Sequence, residues 1–388
     1  MRAKMNSFDD RLQNVEGFLG RVFGDDLHVK RVESLAHGVL GVMAGASLAV
    51  SIIGLSMAQA RGVVAKHAIK QVDRLLSNEG IVVWDAFAPW VRMAVGARKS
   101  IVVAMDWTDF DKDDQTTLAI NLVGDGRATP LLWLTVFKGQ LKDDRNDIED
   151  FCLDRLAQTV PEGVEVMVLA DRGFGDAKLF THLKTLGFSY AIRIRGNIYV
   201  TAADGEKRLA VDWVGKGGRA KMLRGAQVTA AQCPVGAVVC VHAKGMKEPW
   251  CIVTSEGEAT AGKIINLYSR RWTIEPNFRD TKDIRFGMGM SVLRIADPNR
   301  RDRLLLLSAM AIMLLTLLGT AGESLGMDRQ LKSNTSKTRT HSLFRQGCML
   351  YDLMPNMPEH RLRPLVERYA ELIRQNDPFM TAFSANKL

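Results

Sequence analysis

Apolar residues recur at helical spacing through the first 95 residues of the chain. The run from Val63 to Leu76 is the clearest. Val64, Ala68, Val72, Leu75 and Leu76 fall on one face, while Lys66, Lys70 and Arg74 recur every four residues on the other. A cationic stripe of this kind suits a solvated helix face and equally, with Arg61, a helix that lies along a DNA backbone. Two longer apolar stretches stand out. Gly38 to Ala58 carries no charge, and Leu304 to Leu318 is almost wholly apolar. A membrane span needs about 20 apolar residues. Gly41, Gly45, Ser47, Ser51, Gly54 and Ser56 dilute the first stretch, and the second is short, so both are predicted as buried helices.

From residue 98 the period changes to that of strands. Ser100 to Trp107, Thr116 to Val123 and Thr129 to Phe137 read as three strands with short connections, hence an antiparallel meander. A helix over Arg145 to Gln158 follows, then an apolar strand over Val164 to Ala170. A helix over Asp176 to Leu186 ends at Gly187, and Phe188 to Arg195 reads as a strand. The order β-β-β-α-β-α-β is that of a ribonuclease H-like fold. Beyond it lie short strands at Ile198, Gln227, Ala237 and Trp250, punctuated by Asp204-Gly205, Gly215, Gly217-Gly218 and Gly245. Helical patterning resumes at Glu258.

The chain therefore divides into five predicted regions within an α+β or α/β fold class. Residues 1–95 are helical and a DNA-binding region. Residues 96–195 form the first part of a ribonuclease H-like core. Residues 196–255 form an all-β insertion, and residues 256–325 the second part of the core. Residues 326–388 hold a basic loop and a helical C-terminal region. The loop is marked by Arg329, Lys332, Lys337, Arg339 and Arg345, with no acid from 329 to 351. It fits both a backbone-wrapping arm and a solvated linker.

Charge adds a direction. The 52 Lys and Arg residues against 43 Asp and Glu give a net charge of +9, which favours a polyanionic partner. Cys152, Cys233, Cys240, Cys251 and Cys348 form no Cys-x-x-Cys pair, which argues against structural zinc and for reduced thiols in a cytosol. The N-terminal Met-Arg-Ala-Lys-Met-Asn-Ser shows no apolar stretch of the signal-peptide kind, so none is expected.

The candidate chemistry rests on three acids and one motif. Asp106 closes the apolar run Ile-Val-Val-Ala-Met-Asp-Trp-Thr. Asp171 closes Val-Met-Val-Leu-Ala-Asp-Arg-Gly-Phe-Gly. Each alone reads as a strand-end polar residue. Two on neighbouring strands repel each other unless a cation lies between them. Carboxylate oxygens suit Mg²⁺ or Mn²⁺, and two such ions serve phosphoryl transfer. The motif Tyr268-Ser-Arg-Arg271-Trp272-Thr-Ile-Glu275-Pro-Asn-Phe-Arg-Asp-Thr-Lys282 supplies the third acid, Glu275. On one helix Tyr268, Arg271, Glu275 and Lys282 share a face, although Pro276 predicts a kink or a new helix start. Three other patterns carry no site. Asp109 to Asp114 lacks the Gly and Glu of a calcium loop and reads as a solvated acidic turn. Gly173 and Gly175 are too few for a dinucleotide fingerprint and instead let the backbone turn tightly after Asp171. The seven histidines do not cluster in ligand spacing.

At these residues the chain resembles the DDE transposases of the insertion-sequence-four family, marked by a Tyr-x2-Arg-x3-Glu-x6-Lys signature. Tyr268, Arg271, Glu275 and Lys282 match it at every position. Asp106 and Asp171 resemble the family's two catalytic aspartates, and the resemblance covers residues from about 60 to 320. It implies a ribonuclease H-like core, a two-ion Mg²⁺ site on Asp106, Asp171 and Glu275, and a homodimer in the DNA complex. It further implies cleavage at terminal inverted repeats of double-stranded DNA, followed by strand transfer into a target. Tyr268, Arg271 and Lys282 then contact phosphate. Trp272 takes the place of a tryptophan that supports a flipped base during hairpin formation. By pattern alone Trp272 fits a core position equally well.

The resulting reading is a mobile-element enzyme acting in a prokaryotic cytoplasm at the nucleoid, with no membrane partner. The alternatives are a stand-alone ribonuclease H-like nuclease and a catalytically silent, transposase-derived DNA-binding protein.

Overall fold

The computed structural model describes residues 8–124 and 126–374. The N-terminal segment read for a signal peptide, residues 1–7, lies outside the described residues, as do residues 375–388 of the C-terminal region. Among the described residues the chain opens with helices α1 (Phe8–Phe23), α2 (Val29–Gly45), α3 (Val50–Arg61), α4 (Ala65–Leu76) and α5 (Val83–Val95). The helical period at 63–76 becomes α4, which buries Ala68, Val72, Leu75 and Leu76. Lys66, Lys70 and Arg74 stand exposed on its other face. The uncharged stretch from Gly38 to Ala58 is broken rather than continuous. Helices α2 and α3 bend by 97°, and Ala46 ends α2 in the left-handed conformation at φ 43°.

Strands β1 (Ser100–Phe110), β2 (Gln115–Val123) and β3 (Ala128–Phe137) follow, then α6 (Leu141–Thr159), β4 (Glu165–Ala170), α7 (Ala177–Thr185) and β5 (Ser189–Ile194). This is the element order that the periodicity predicts. The next segment holds β6 (Tyr199–Thr201), β7 (Lys207–Leu209), β8 (Lys221–Arg224), β9 (Gln227–Val228), β10 (Cys233–Pro234), β11 (Ala237–Val241) and β12 (Trp250–Thr254). Helices α8 (Ala261–Ser269), α9 (Ile274–Lys282), α10 (Pro298–Ser324), α11 (Leu343–Leu353) and α12 (Glu359–Arg374) complete the described chain. The architecture is mixed α and β.

An eight-stranded sheet runs β3-β2-β1-β4-β5-β12-β11-β8. Its centre is parallel, β4 pairing with β1 on one side and β5 on the other. Such strands are covered on both faces, which explains the unbroken apolar runs Val103-Ala104-Met105 and Val168-Leu169-Ala170. The β-rich segment splits in two. Strands β12, β11 and β8 continue the main sheet in antiparallel fashion from β5. Strands β10-β9-β6-β7 form a separate four-stranded sheet. Local patterning marks these strands but carries no information on which sheet each joins.

The chain forms two compact units. One comprises Met1–Gly96, Phe110–Gln115 and Asn277–Leu388; the other comprises Ala97–Asp109 and Thr116–Pro276. Helix α10 is the core of the first. It is long and apolar enough to cross a membrane, but 89% of its most apolar window is buried inside the protein. It packs against α2, α11 and α12. The crossing with α11 is very close. A Cβ on Gly347 would meet the Leu315 carbonyl oxygen at 1.8 Å, and one on Gly319 the Leu343 oxygen at 1.9 Å. Backbone atoms cannot rotate away as a side chain can. Gly347→Ala therefore lowers the unfolding free energy by about 1–3 kcal/mol through overpacking. Denaturant unfolding checks this, and an unchanged midpoint would show that the helices separate without cost.

Candidate active site

The sheet register places the two aspartates. Met105 on β1 pairs with Ala170 on β4 in parallel. Asp106 is the next residue on β1 and Asp171 is the first residue after β4, so the two lie side by side where β4 ends. Asp106 is thus not the end of its strand, as the apolar run suggested: β1 continues through it to Phe110. Neighbouring strands lie roughly 4.8 Å apart. Asp171 caps the short helical turn Arg172–Phe174, accepting a hydrogen bond from the Gly173 N–H at 2.7 Å. The glycines after Asp171 serve close approach rather than an unusual φ. A Cβ on Gly173 would lie 3.0 Å from Asp171 Oδ1, and one on Gly175 would lie 2.9 Å from Ile194 on β5. Asp106 Oδ1 accepts the Trp107 N–H at 2.9 Å.

Arg271 joins the acids. It is buried, with its side chain 9% exposed. Nη1 donates to Asp106 Oδ2 at 3.1 Å, and Nη2 lies 3.9 Å from Glu275 Oε1. Burial disfavours its charge, but Tyr268, Asp106, Asp171 and Glu275 outweigh that and raise its pKa. Nε has no hydrogen-bond partner among the described residues. Asp106 is pushed up to about 6, chiefly by burial; Arg271 opposes the rise and Asp171 adds to it. Tyr268 is 2% exposed. Its phenol is raised by burial, with Arg271 and Arg193 lowering it. Its ring meets Trp250 edge-on at 5.1 Å between centroids.

The signature does not lie on one continuous helix. α8 ends at Ser269, a 3₁₀ turn spans Arg270–Thr273, and α9 begins at Ile274. Pro276 sits in the first turn of α9, where its missing N–H leaves no bond unmade. Tyr268 is thus on α8, Arg271 and Trp272 on the turn, and Glu275 and Lys282 on α9. The break resolves the position of Trp272, which is 49% exposed and is not a core residue. The Arg271 guanidinium lies 5.3 Å from its ring centroid. Lys282 belongs to the first compact unit, whereas Asp106, Asp171, Tyr268, Arg271 and Glu275 belong to the second.

Sequence reasoning passed over a buried clamp beside the aspartates. Glu149 on α6 is 2% exposed and accepts from Trp107 Nε1 and Arg145 Nε, each at 2.8 Å. Burial raises its pKa. The Arg145 guanidinium lies 5.9 Å from the Trp107 ring and 5.4 Å from the Phe174 ring. Trp107 follows Asp106 and Phe174 follows Asp171 by three residues, so α6 ties the two segments together. The i,i+4 spacing of Arg145 and Glu149 was the available signal, but exposed helices carry the same pairing. In the same unit an open cleft of about 530 Å³ is lined by Arg172, Arg193, Arg195, Asn197 and Glu248 among others. Glu248 bridges Arg193 at 2.9 Å and Arg172 at 2.8 Å.

Three further expectations change. Asp113 is not part of a solvated turn: its side chain is 6% exposed and pairs with the wholly buried Arg301. In the basic loop, Lys332 pairs with Asp328 at 3.0 Å and Arg339 with Glu323. These acids lie just before the acid-free window, so the loop carries less unbalanced charge than its composition suggests. His37 does meet two carboxylates, Glu16 and Glu33, with ligand atoms within 4.8 Å of one another. Sequence spacing missed this because Glu16 comes from a different helix. By contrast, Lys66, Lys70 and Arg74 are exposed, with no ion pair among the described residues. If the stripe contacts a DNA backbone, its triple alanine variant flattens the slope of log K against log salt by about 2 to 3 units. Titration of DNA binding at several salt concentrations measures this, and an unchanged slope would make the stripe a solvated face.

The donor set fits a hard divalent cation. All three carboxylates offer oxygen, and the burial that raises Asp106 is what a cation between Asp106 and Asp171 would offset. A family model described as transposase DDE domain matches residues 97–314. No curated protein sequence matches the chain significantly.

Proposed function

The chain belongs to the transposase DDE domain family, and from that premise we propose a DNA transposase of the insertion-sequence-four type. It binds terminal inverted repeats, cleaves them and transfers the freed strand to target DNA, working as a homodimer at the nucleoid. The observation that carries the reading is the parallel register that sets Asp106 beside Asp171, with Arg271 linking Asp106 to Glu275. The full Tyr268, Arg271, Glu275 and Lys282 spacing supports the subgroup. The order β3-β2-β1-β4-β5, parallel across β1, β4 and β5, supports a ribonuclease H-like core.

Asp106, Asp171 and Glu275 hold two Mg²⁺ ions, for which Mn²⁺ substitutes. When bound, such ions supply an activated water and stabilise the leaving oxygen. Arg271 orients two of the carboxylates from a buried position and, with Tyr268 and Lys282, contacts phosphate. The α6 clamp through Glu149 and Arg145 fixes the backbone around both aspartates. The exposed Trp272 ring offers a stacking surface for an unstacked base.

The test uses the DNA that flanks the coding sequence. The expected result is a pair of matched inverted repeats, a gel shift on fragments carrying them, and cleavage at their outer boundary with Mg²⁺ but not with chelator. Binding with no cleavage under any divalent ion would leave a silent DNA-binding descendant. Cleavage with no preference for the repeats would indicate a general nuclease.

A further inference from the structure

Phe110, the last residue of β1, is approached by two cations of its own compact unit. The Arg301 guanidinium carbon lies 3.9 Å from the ring centroid and Lys282 Nζ lies 4.8 Å from the same centroid. Phe110 is 6% exposed and Arg301 has no exposed side-chain surface. We infer that Phe110 and Arg301 are positioning residues for the Lys282 ammonium, holding it for its phosphate contact. The inference rests on the reading of Lys282 as a phosphate-contacting residue.

Arg301 is held from several directions. Nη2 donates to Asp113 Oδ2, and Nε donates to Gln115 Oε1 at 2.6 Å. Gln115 Nε2 donates to the carbonyl oxygens of Ile295 at 2.9 Å and Ala296 at 3.0 Å. Asp113 Oδ2 also accepts the Ile295 N–H at 3.0 Å. Yet Nη1 is buried without a partner among the described residues. Apolar residues in place of a buried ion pair are often at least as stabilising, so stability alone is a weak reason for a guanidinium here. Its position supplies another reason. A planar cation stacked on an aromatic ring fixes that ring, and the ring's negative face then attracts a second cation. The main chain at Lys282 is anchored as well. Ser291 Oγ donates to the Lys282 carbonyl oxygen at 2.7 Å, and the Met288 N–H donates to the Asp280 carbonyl at 2.8 Å just after α9. The main chain and the ammonium of Lys282 are thus both constrained. A lysine on its flexible four-carbon stem is otherwise a loosely directed point charge. Two cations gathered on one ring also repel each other, which an arriving phosphate relieves.

The experiment measures cleavage rate and repeat-end affinity separately in the full-length protein. Lys282→Ala slows cleavage; if it does not, the phosphate-contact reading fails and this inference falls with it. Phe110→Leu keeps an apolar side chain but removes the ring. It slows cleavage roughly tenfold with less than about a twofold change in end affinity. The double variant is no slower than Lys282→Ala alone. Multiplying effects, with Lys282→Ala itself slow as expected, would overturn the positioning role and leave the phosphate contact standing. Site-specific fluorinated phenylalanines at 110 guard against a folding effect. They weaken the ring's negative face while nearly preserving its shape, so the rate falls stepwise with fluorine number. A flat series would also overturn the inference.

Discussion

Glu275→Gln reduces strand cleavage at the repeat ends at least about a thousandfold, a loss of about 4 kcal/mol in transition-state stabilisation. Asp106→Asn and Asp171→Asn do the same, since each amide keeps the shape and removes a charged oxygen donor. End binding changes little, because affinity for DNA comes mainly from cations on phosphate. The three differ in their effect on folding. Glu275 is 52% exposed on its side chain and its ion pair is long, at 3.9 Å. An exposed pair of that kind contributes about 0–1 kcal/mol, so Glu275→Gln is the cleanest of the three. Asp106 is 23% exposed and is the shorter-range partner of a 9%-exposed guanidinium. Its amide leaves Arg271 poorly compensated, and a lower melting temperature accompanies the lost activity. The two effects separate when melting and single-turnover cleavage are measured on the same preparation. Any one of these variants cutting at near the wild-type rate would remove that residue from the metal site.

Much of this arrangement is legible before any coordinates. Asp106 and Asp171 end apolar runs of the kind that parallel central strands require, and a parallel register of the two runs brings their ends together. The Tyr268, Arg271 and Glu275 spacing points to one local group because the backbone there stays helical, although it passes through a 3₁₀ turn. What sequence does not carry is partner choice across long separations. Arg301 pairs with Asp113 at a separation of 188 residues, and no local pattern distinguishes Asp113 from its acidic neighbours. Glu149 is hidden for the same reason. Its i,i+4 partner is visible, but its burial under Trp107 depends on how α6 lies on the sheet. Strands β8, β11 and β12 show the limit for topology, since period-2 patterning is the same whether a strand extends the main sheet or starts another.

Trp272 carries the prediction that separates hairpin-forming cleavage from simple nicking. A hairpin bends one strand sharply onto its partner, and the bend is easier when a base leaves the stack for an aromatic surface. Stacking of that kind contributes about 1–3 kcal/mol per base, so Trp272→Ala slows hairpin formation roughly ten- to a hundredfold. First-strand nicking changes much less, since the carboxylates are untouched. Truncating a core tryptophan would destabilise the fold by about 3–5 kcal/mol and obscure the result. At 49% exposure that objection carries little weight, and the melting temperature of the variant stays near wild type. The Arg271 guanidinium, 5.3 Å from the ring centroid, is the residue to watch. If loss of the ring disturbed Arg271, nicking and hairpin formation would fall together, because Arg271 holds Asp106. Selective loss of the hairpin step assigns Trp272 to the base. Parallel loss assigns it to Arg271, and wild-type rates for both steps would leave the hairpin route without a residue to support it.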